Sequence, residues 1–191
     1  MKFLIVVDMQ KDFVDGALGT AEAQTIVPMV CEKIQKFDGA VIVTQDTHQE
    51  NYLDTQEGSI LPVVHCIKNT PGWELDSKVD DALRLRFEHE KKQNPAGVVP
   101  VCSVMKPTFG SVDLATALAA ANQQEPIDEV VLVGLCTDIC VVSNALLVKA
   151  FLPEVKVTVD AACCAGVTPE SHAAALKTMQ MCQVDVENWE G

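Results

Sequence analysis

The sequence predicts an α/β domain: a three-layer sandwich in which a mainly parallel sheet is covered by helices on both faces. Three observations carry this expectation. Short aliphatic runs alternate with helix-period patterns along the chain. The runs are continuously apolar rather than alternating, as strands buried on both faces require. Apolar residues make up 48% of the chain and aromatics only 5%, so the core must be built from Val, Leu, Ile and Ala. A length of 191 residues is expected to form a single domain, 1–191, with a full hydrophobic core.

The elements follow in order. Phe3–Val7 reads as a buried strand. Thr25–Phe37 reads as a helix, with Ile26, Val27, Val30 and Ile34 on one face. The turn Asp38-Gly39 leads into a second strand, Ala40–Thr44. Val112–Ala121 is a helix, and Glu129–Val133 is a strand that stops at Gly134. Ile139–Phe151 is a helix apolar on most faces, hence buried. Val155–Val159 is a further strand. Pro169–Cys182 is a helix with Pro at its start and Thr168 as its N-cap, and Val184–Val186 forms a last strand. The segment from Gln45 to about Pro107 is the least regular, which in a compact domain points to function. It holds the single Tyr, one of the two Trp and three of the four His.

Charge and cysteine content narrow the partners. A formal net charge of −13 argues against nucleic acid and against an anionic membrane surface. A neutral or cationic small molecule fits better. No apolar stretch approaches the length of a membrane span, and the run Phe3–Val7 is too short for a signal peptide, so a cytoplasmic location is expected. In that compartment the eight cysteines read as free thiols.

In open parallel sheets the ligand crevice lies at the carboxyl ends of the strands. That rule selects Asp8, the Gln45–His48 segment and Gly134–Cys140. Gly134-Leu135-Cys136-Thr137-Asp138-Ile139-Cys140 follows a strand and opens a helix. With Thr137 or Asp138 as cap, Cys140 falls in the first turn, where the helix dipole lowers a thiol pKa and free N–H groups can hold an oxyanion. The same context fits a packed cysteine at a helix start. Asp8 could serve as base for a thiol, or as an ordinary turn residue. Lys106 could hold a carboxylate and a thiolate in register, or sit in solvent. Asp46 and His48, two apart in an extended segment, can face one ion. His65 would complete a set of two His and one carboxylate suited to zinc, iron or manganese, with Glu57 or Asp54 adding an oxygen.

Together these segments resemble the isochorismatase-like cysteine hydrolases over nearly the whole chain, with the nicotinamidase branch most similar. Val7-Asp8-Met9-Gln10-Lys11-Asp12-Phe13 resembles the family's opening motif, Lys106 and Phe109 its lysine segment, and Gly134 to Val141 its nucleophile motif. Asp160-Ala161-Ala162-Cys163 with Glu170 and His172 resembles the strand end and final helix of many members. The resemblance implies a Rossmann-like sheet with Cys140 as nucleophile, Asp8 as base and Lys106 as organising cation. It implies a cis peptide at Leu135–Cys136 that turns the N–H groups of Cys136 and Cys140 into an oxyanion hole. Phe13 and Phe109 would contact substrate, and Asp46, His48, His65 and Glu57 would hold a divalent metal, zinc first. The implied reaction is hydrolysis of nicotinamide to nicotinate and ammonia through a thioester, in NAD salvage, by a homo-oligomer. Two departures stand out. Gln49-Glu50-Asn51-Tyr52 stands where many nicotinamidases carry a further His soon after Asp-x-His, and Leu61 occupies a position where a Trp often precedes Pro-His-Cys, leaving Trp73 as a possible substitute wall. Other readings are a carbamoyl or ureido hydrolase, a catalytically silent α/β binding module, and a redox sensor using Cys163-Cys164. Isochorismate hydrolysis fits less well, because its known enzymes lack the nucleophilic cysteine.

Overall fold

The computed structural model describes residues 1–93 and 102–190. Part of the irregular 45–107 segment, and the last residue of the expected 1–191 domain, thus lie outside the described residues. Six strands form one sheet: β1 (Lys2–Val7), β2 (Ala40–Asp46), β3 (Cys102–Lys106), β4 (Glu129–Leu135), β5 (Lys156–Ala165) and β6 (Asp185–Glu187). Their spatial order is β3-β2-β1-β4-β5-β6, and every neighbouring pair is parallel. The order reverses between β1 and β4. Such a reversal opens a crevice at the carboxyl ends of those two strands.

Seven helices accompany the strands among the described residues: α1 (Lys11–Val14), α2 (Ala21–Lys36), α3 (Gln56–Ile60), α4 (Ser77–Gln93), α5 (Val112–Gln124), α6 (Val142–Phe151) and α7 (Pro169–Met181). Strand pleat sorts the core into two layers. Phe3, Ile5 and Val7 point to one face, where Leu114 and Leu118 of α5, Val148 of α6, and Leu176 and Met179 of α7 cover them. Leu4 and Val6 point to the other, against Ile26, Val30 and Ile34 of α2 and Val79 and Leu83 of α4. Every side chain from Leu4 to Val7 is fully buried, which is why this strand reads as an unbroken apolar run. Both faces are thus covered, as a three-layer sandwich requires.

Several boundaries differ from the sequence reading. α2 begins at Ala21, because the Thr20 side chain accepts from Ala23 N–H and caps the helix there. It ends where Arg86 of α4 donates to the carbonyls of Ile34, Phe37 and Gly39. β4 does not stop at Gly134. It runs through to Leu135, and the glycine is required because its φ is +115° and an added Cβ would meet the Val7 carbonyl oxygen at 2.1 Å. β5 extends six residues further than Val159, to Ala165, past a register shift opposite Leu132 and Gly134. β6 falls at Asp185–Glu187, one residue later than Val184–Val186. Thr168 caps α7 as expected, through a reciprocal capping box with Ser171.

Candidate active site and metal centre

Register brings the candidate residues together. Val7 pairs with Thr44 on β2 and with Gly134 on β4, so Asp8, the next residue, sits over the carboxyl edge at the reversal point. Asp46 pairs with Lys106 across β2 and β3. Asp8 takes a positive φ of +47° and is fully buried. Its backbone N–H donates to the Thr44 carbonyl at 3.2 Å, while the Thr44 hydroxyl donates to Asp8 Oδ1 at 2.6 Å.

Lys106 is 1% exposed, and its ammonium is ringed by acids and a thiol. Nζ lies 2.6 Å from Asp8 Oδ2, 3.7 Å from Asp46 Oδ1 and 3.4 Å from Cys140 Sγ. Burial alone would lower its pKa. The charges of Asp8, Cys140 and Asp46 outweigh that and hold it well above the ordinary lysine value. The lysine is therefore protonated. Asp8 moves the other way: burial raises its pKa, the Lys106 charge opposes this, and the nearby Asp46 carboxylate adds to the rise. Its Oδ2 stands 2.6 Å from the Lys106 ammonium, whose charge and hydrogen bond oppose that rise.

Cys140 lies in a wide π-type turn, Thr137–Val141, ahead of α6. This corrects the expected helix Ile139–Phe151: the α-helix proper starts only at Val142. Neither Thr137 nor Asp138 caps it. The Thr137 hydroxyl bonds His172 Nδ1 at 2.8 Å, and the Asp138 carboxylate accepts from the Val167 N–H at 3.1 Å. The expected lowering of the thiol pKa is also overturned, because burial and the negative Asp8 outweigh Lys106 and push Cys140 well above the ordinary thiol value. The peptide Leu135–Cys136 is cis. The Cys136 carbonyl accepts from Ile139 at 3.1 Å and Val141 at 3.0 Å, the two neighbours of Cys140.

On the far side of Asp46 stands a second cluster. Asp46, His48 and His65 each offer one ligand atom, all within 4.8 Å of one another, and all three residues are buried. Asp46 Oδ2 is 3.0 Å from His48 Nε2 and 3.6 Å from His65 Nε2. Glu57 Oε1 faces both rings, at 3.5 and 3.9 Å. Asp54 instead lies exposed in the single turn Tyr52–Asp54. The donor set fits a metal. His48 Nε2 is buried with no aligned hydrogen-bond partner. His65 Nδ1 donates to the Val63 carbonyl at 2.7 Å, which would turn the Nε2 lone pair toward the cluster. Two His and one carboxylate with room for further ligands suit zinc, iron or manganese. One carboxylate thus serves two groups, Oδ1 facing Lys106 and Oδ2 the histidines.

A cavity of about 320 Å³ joins the halves. Cys140, Cys136, Asp46, Glu57 and His65 form its polar part, and Phe13, Leu61, Ile139 and Val167 lie among its apolar walls. Phe13 meets the His65 ring edge-on at 5.5 Å, and half-exposed Phe109 stands at the mouth. Trp73 is not a substitute wall. It lies outside the cavity lining, with its indole N–H donating to Thr47 Oγ1 at 2.9 Å.

Sequence reasoning missed the polar residues that hold these groups. Gln10 is fully buried, donating to the Asp46 carbonyl at 2.9 Å and accepting from the Asp46 N–H at 2.7 Å. Asp12 accepts from the Cys66 N–H at 2.8 Å, next to His65. Asn144 donates to the carbonyls of Cys140 and Phe109 and accepts from the Ser111 N–H, tying the turn of Cys140 to the loop after Lys106. Gln10 and Asp12 share the segment of Asp8. That proximity was the available signal.

Fold and site define a parallel α/β protein with a buried thiol–carboxylate–ammonium centre beside an open metal-ligand set. The isochorismatase domain matches residues 2–191. The chain belongs to the isochorismatase family. It is 32% identical over 182 residues to the isochorismatase family protein PncA of Bacillus subtilis, covering 92% of each chain. It is 28% identical over 195 residues to the nicotinamidase/pyrazinamidase of Mycobacterium tuberculosis, covering 97% of this chain and 98% of that one. The pyrazinamidase of Pyrococcus horikoshii in complex with zinc superposes with a TM-score of 0.74 at 26% identity, over 98% of this chain and 99% of the other.

Proposed function

We propose that the protein hydrolyses a small amide, nicotinamide first among candidates, through a thioester on Cys140. The observation that carries this is one ammonium, Lys106, standing 2.6 Å from the Asp8 carboxylate and 3.4 Å from the Cys140 thiol, which lines a cavity. The nicotinamidase relatives support the substrate class.

In this reading Asp8 takes the Cys140 proton and the sulfur forms a bond to the amide carbon. The oxyanion is held by the N–H groups of Cys136 and Cys140. Asp8 returns its proton to nitrogen, the C–N bond breaks and ammonia leaves. Water then adds to the thioester while Asp8 accepts its proton, the C–S bond breaks, and Asp8 returns that proton to the sulfur, leaving the acid and the free thiol. Lys106 stays charged and spaces the two acidic groups. Asp46, His48 and His65, with Glu57 facing them, would hold a divalent metal, zinc first, which when bound supplies a Lewis-acid anchor for a ring nitrogen. Phe13 and Phe109 would flank the ring. The aliphatic Leu61 wall favours a second reading, a carbamoyl or ureido amide of the same reaction type. Cytoplasmic action in NAD salvage and assembly into a homo-oligomer complete the proposal. No helix among the described residues is long and apolar enough to cross a membrane.

The test is ammonia release from nicotinamide, with and without chelator and added zinc or manganese. Cys140→Ala is expected to abolish release while leaving the melting temperature near that of the parent. Full activity in that variant would refute the nucleophile assignment. Release unaffected by chelator, from protein shown to be metal-free, would refute the metal anchor.

A further inference from the structure

The turn that carries Cys140 is tied to the segment between β5 and α7 at two adjacent residues. Thr137, three residues before the thiol, is fully buried, and its hydroxyl shares a 2.8 Å hydrogen bond with Nδ1 of His172. Asp138, the next residue, accepts the Val167 N–H with both carboxylate oxygens, at 3.2 and 3.1 Å. The two ties end on different things. Val167 lines the cavity, so the Asp138 tie holds a wall. His172 does not line it, so the Thr137 tie bears directly on the turn of Cys140.

The histidine is itself built in from below. It stands in the first turn of α7, its N–H donating to the Thr168 carbonyl at 2.9 Å, beside the Thr168–Ser171 capping box. Gly166 leaves no room behind it: an added Cβ there would meet the His172 Cβ at 2.9 Å. Burial outweighs the nearby Asp138 charge and pulls the imidazole pKa below its ordinary value, so the ring is neutral at pH 7 and shares a neutral hydrogen bond. A π-type turn lacks the regular i→i−4 ladder that would hold an α-helical first turn rigid. An outside strut supplies what the ladder does not.

Resting on Cys140 as the nucleophile, we infer that His172 is a positioning residue, which through Thr137 holds the nucleophile turn so that the thiol faces Lys106 and Asp8. It touches neither substrate nor the reacting atoms. Its contribution falls on the chemical step, whereas the Asp138–Val167 tie falls on the fit of the substrate.

The experiment is steady-state kinetics of ammonia release from nicotinamide by the full-length, metal-replete protein and its variants. His172→Leu and Thr137→Val should each lower kcat about tenfold with KM near that of the parent, the scale of one buried hydrogen bond whose positioning effect is felt in the chemical step. His172→Asn keeps a hydrogen-bonding atom near the position of Nδ1 and should restore most of the rate. The double variant should be no worse than either single one, since both remove the same bond. Asp138→Ala should instead raise KM. The inference is overturned if His172→Leu retains the parent kcat, if its loss appears only in KM, if His172→Asn is as poor as His172→Leu, or if the two single losses multiply. A parent protein that releases no ammonia, or a Cys140→Ala variant that still does, removes the nucleophile reading and this inference with it. A dead Cys140→Ala beside an unimpaired His172→Leu overturns this inference alone.

Discussion

Replacing Lys106 by Met removes the charge and keeps most of the volume, which isolates the electrostatic role of the buried ammonium. At an effective dielectric near 20, a pair at the 2.6 Å Lys106–Asp8 distance is worth about 6 kcal/mol and one at the 3.7 Å Lys106–Asp46 distance about 4 kcal/mol. Most of that gross attraction offsets desolvation of the three ions, so the net loss on breaking the cluster should be about 3–5 kcal/mol. The deficit should depend on pH with a definite sign. Asp8 already has a raised pKa in the fold, and loss of the opposing Lys106 charge raises it further. A carboxyl whose pKa is raised by folding costs stability once pH exceeds its unfolded value near 3.8. The variant should therefore be closest to the parent at about pH 4 and fall further behind as pH rises toward 8. Urea unfolding at several pH values measures this. A deficit under about 1 kcal/mol, or one independent of pH, would refute the view that Lys106 neutralises buried carboxylates.

Other outcomes follow from the same structure. His65→Ala should weaken zinc binding by at least tenfold, read by calorimetric titration of the metal into stripped protein. Gly134→Ala should destabilise by several kcal/mol or prevent soluble expression, since its Cβ would lie 2.1 Å from the Val7 carbonyl oxygen at a φ of +115°. Asp160 is pushed up by burial but held below its ordinary pKa by bonds from Asn188 and Lys33, so its stabilisation is present above pH 3.8 and lost as pH falls through the lower folded value. Asp160→Asn should accordingly flatten the acid limb of the stability curve, measured by unfolding between pH 2 and 5.

What the sequence disclosed depended on how each element earns its place. β1, β4 and β5 are buried on both faces, so their composition announces them. β3, Cys-Ser-Val-Met-Lys, is an edge strand with mostly exposed side chains, and only the pairing of Ile42–Asp46 with Cys102–Lys106 reveals it as a strand. α4 was also missed, though Val79, Ala82 and Leu83 carry its buried stripe among many charges. Asp8, Lys106, Cys140, Asp46, His48 and His65 were all named from motif and strand-end position, and they converge. The π-type turn around Cys140 has no sequence period to read. Gln10, Thr44 and Asn144 act by bonding main-chain groups or a carboxylate, and nothing about an isolated polar residue shows that its partner lies 33 or 36 positions away.

Lys106 is the last residue of β3, and β3 is the outermost strand on its side of the sheet. The buried ammonium beside Asp8 and Cys140 is thus carried by an element that, among the described residues, is paired along one side only, while Asp8 and the turn of Cys140 issue from strands paired on both. Fraying of that margin would withdraw the ammonium while β1 and β4 and their packed helices stayed intact. Displacement of the ammonium and unfolding of the whole sheet would then be distinct openings, which hydrogen exchange at β3 and at β1 would report separately.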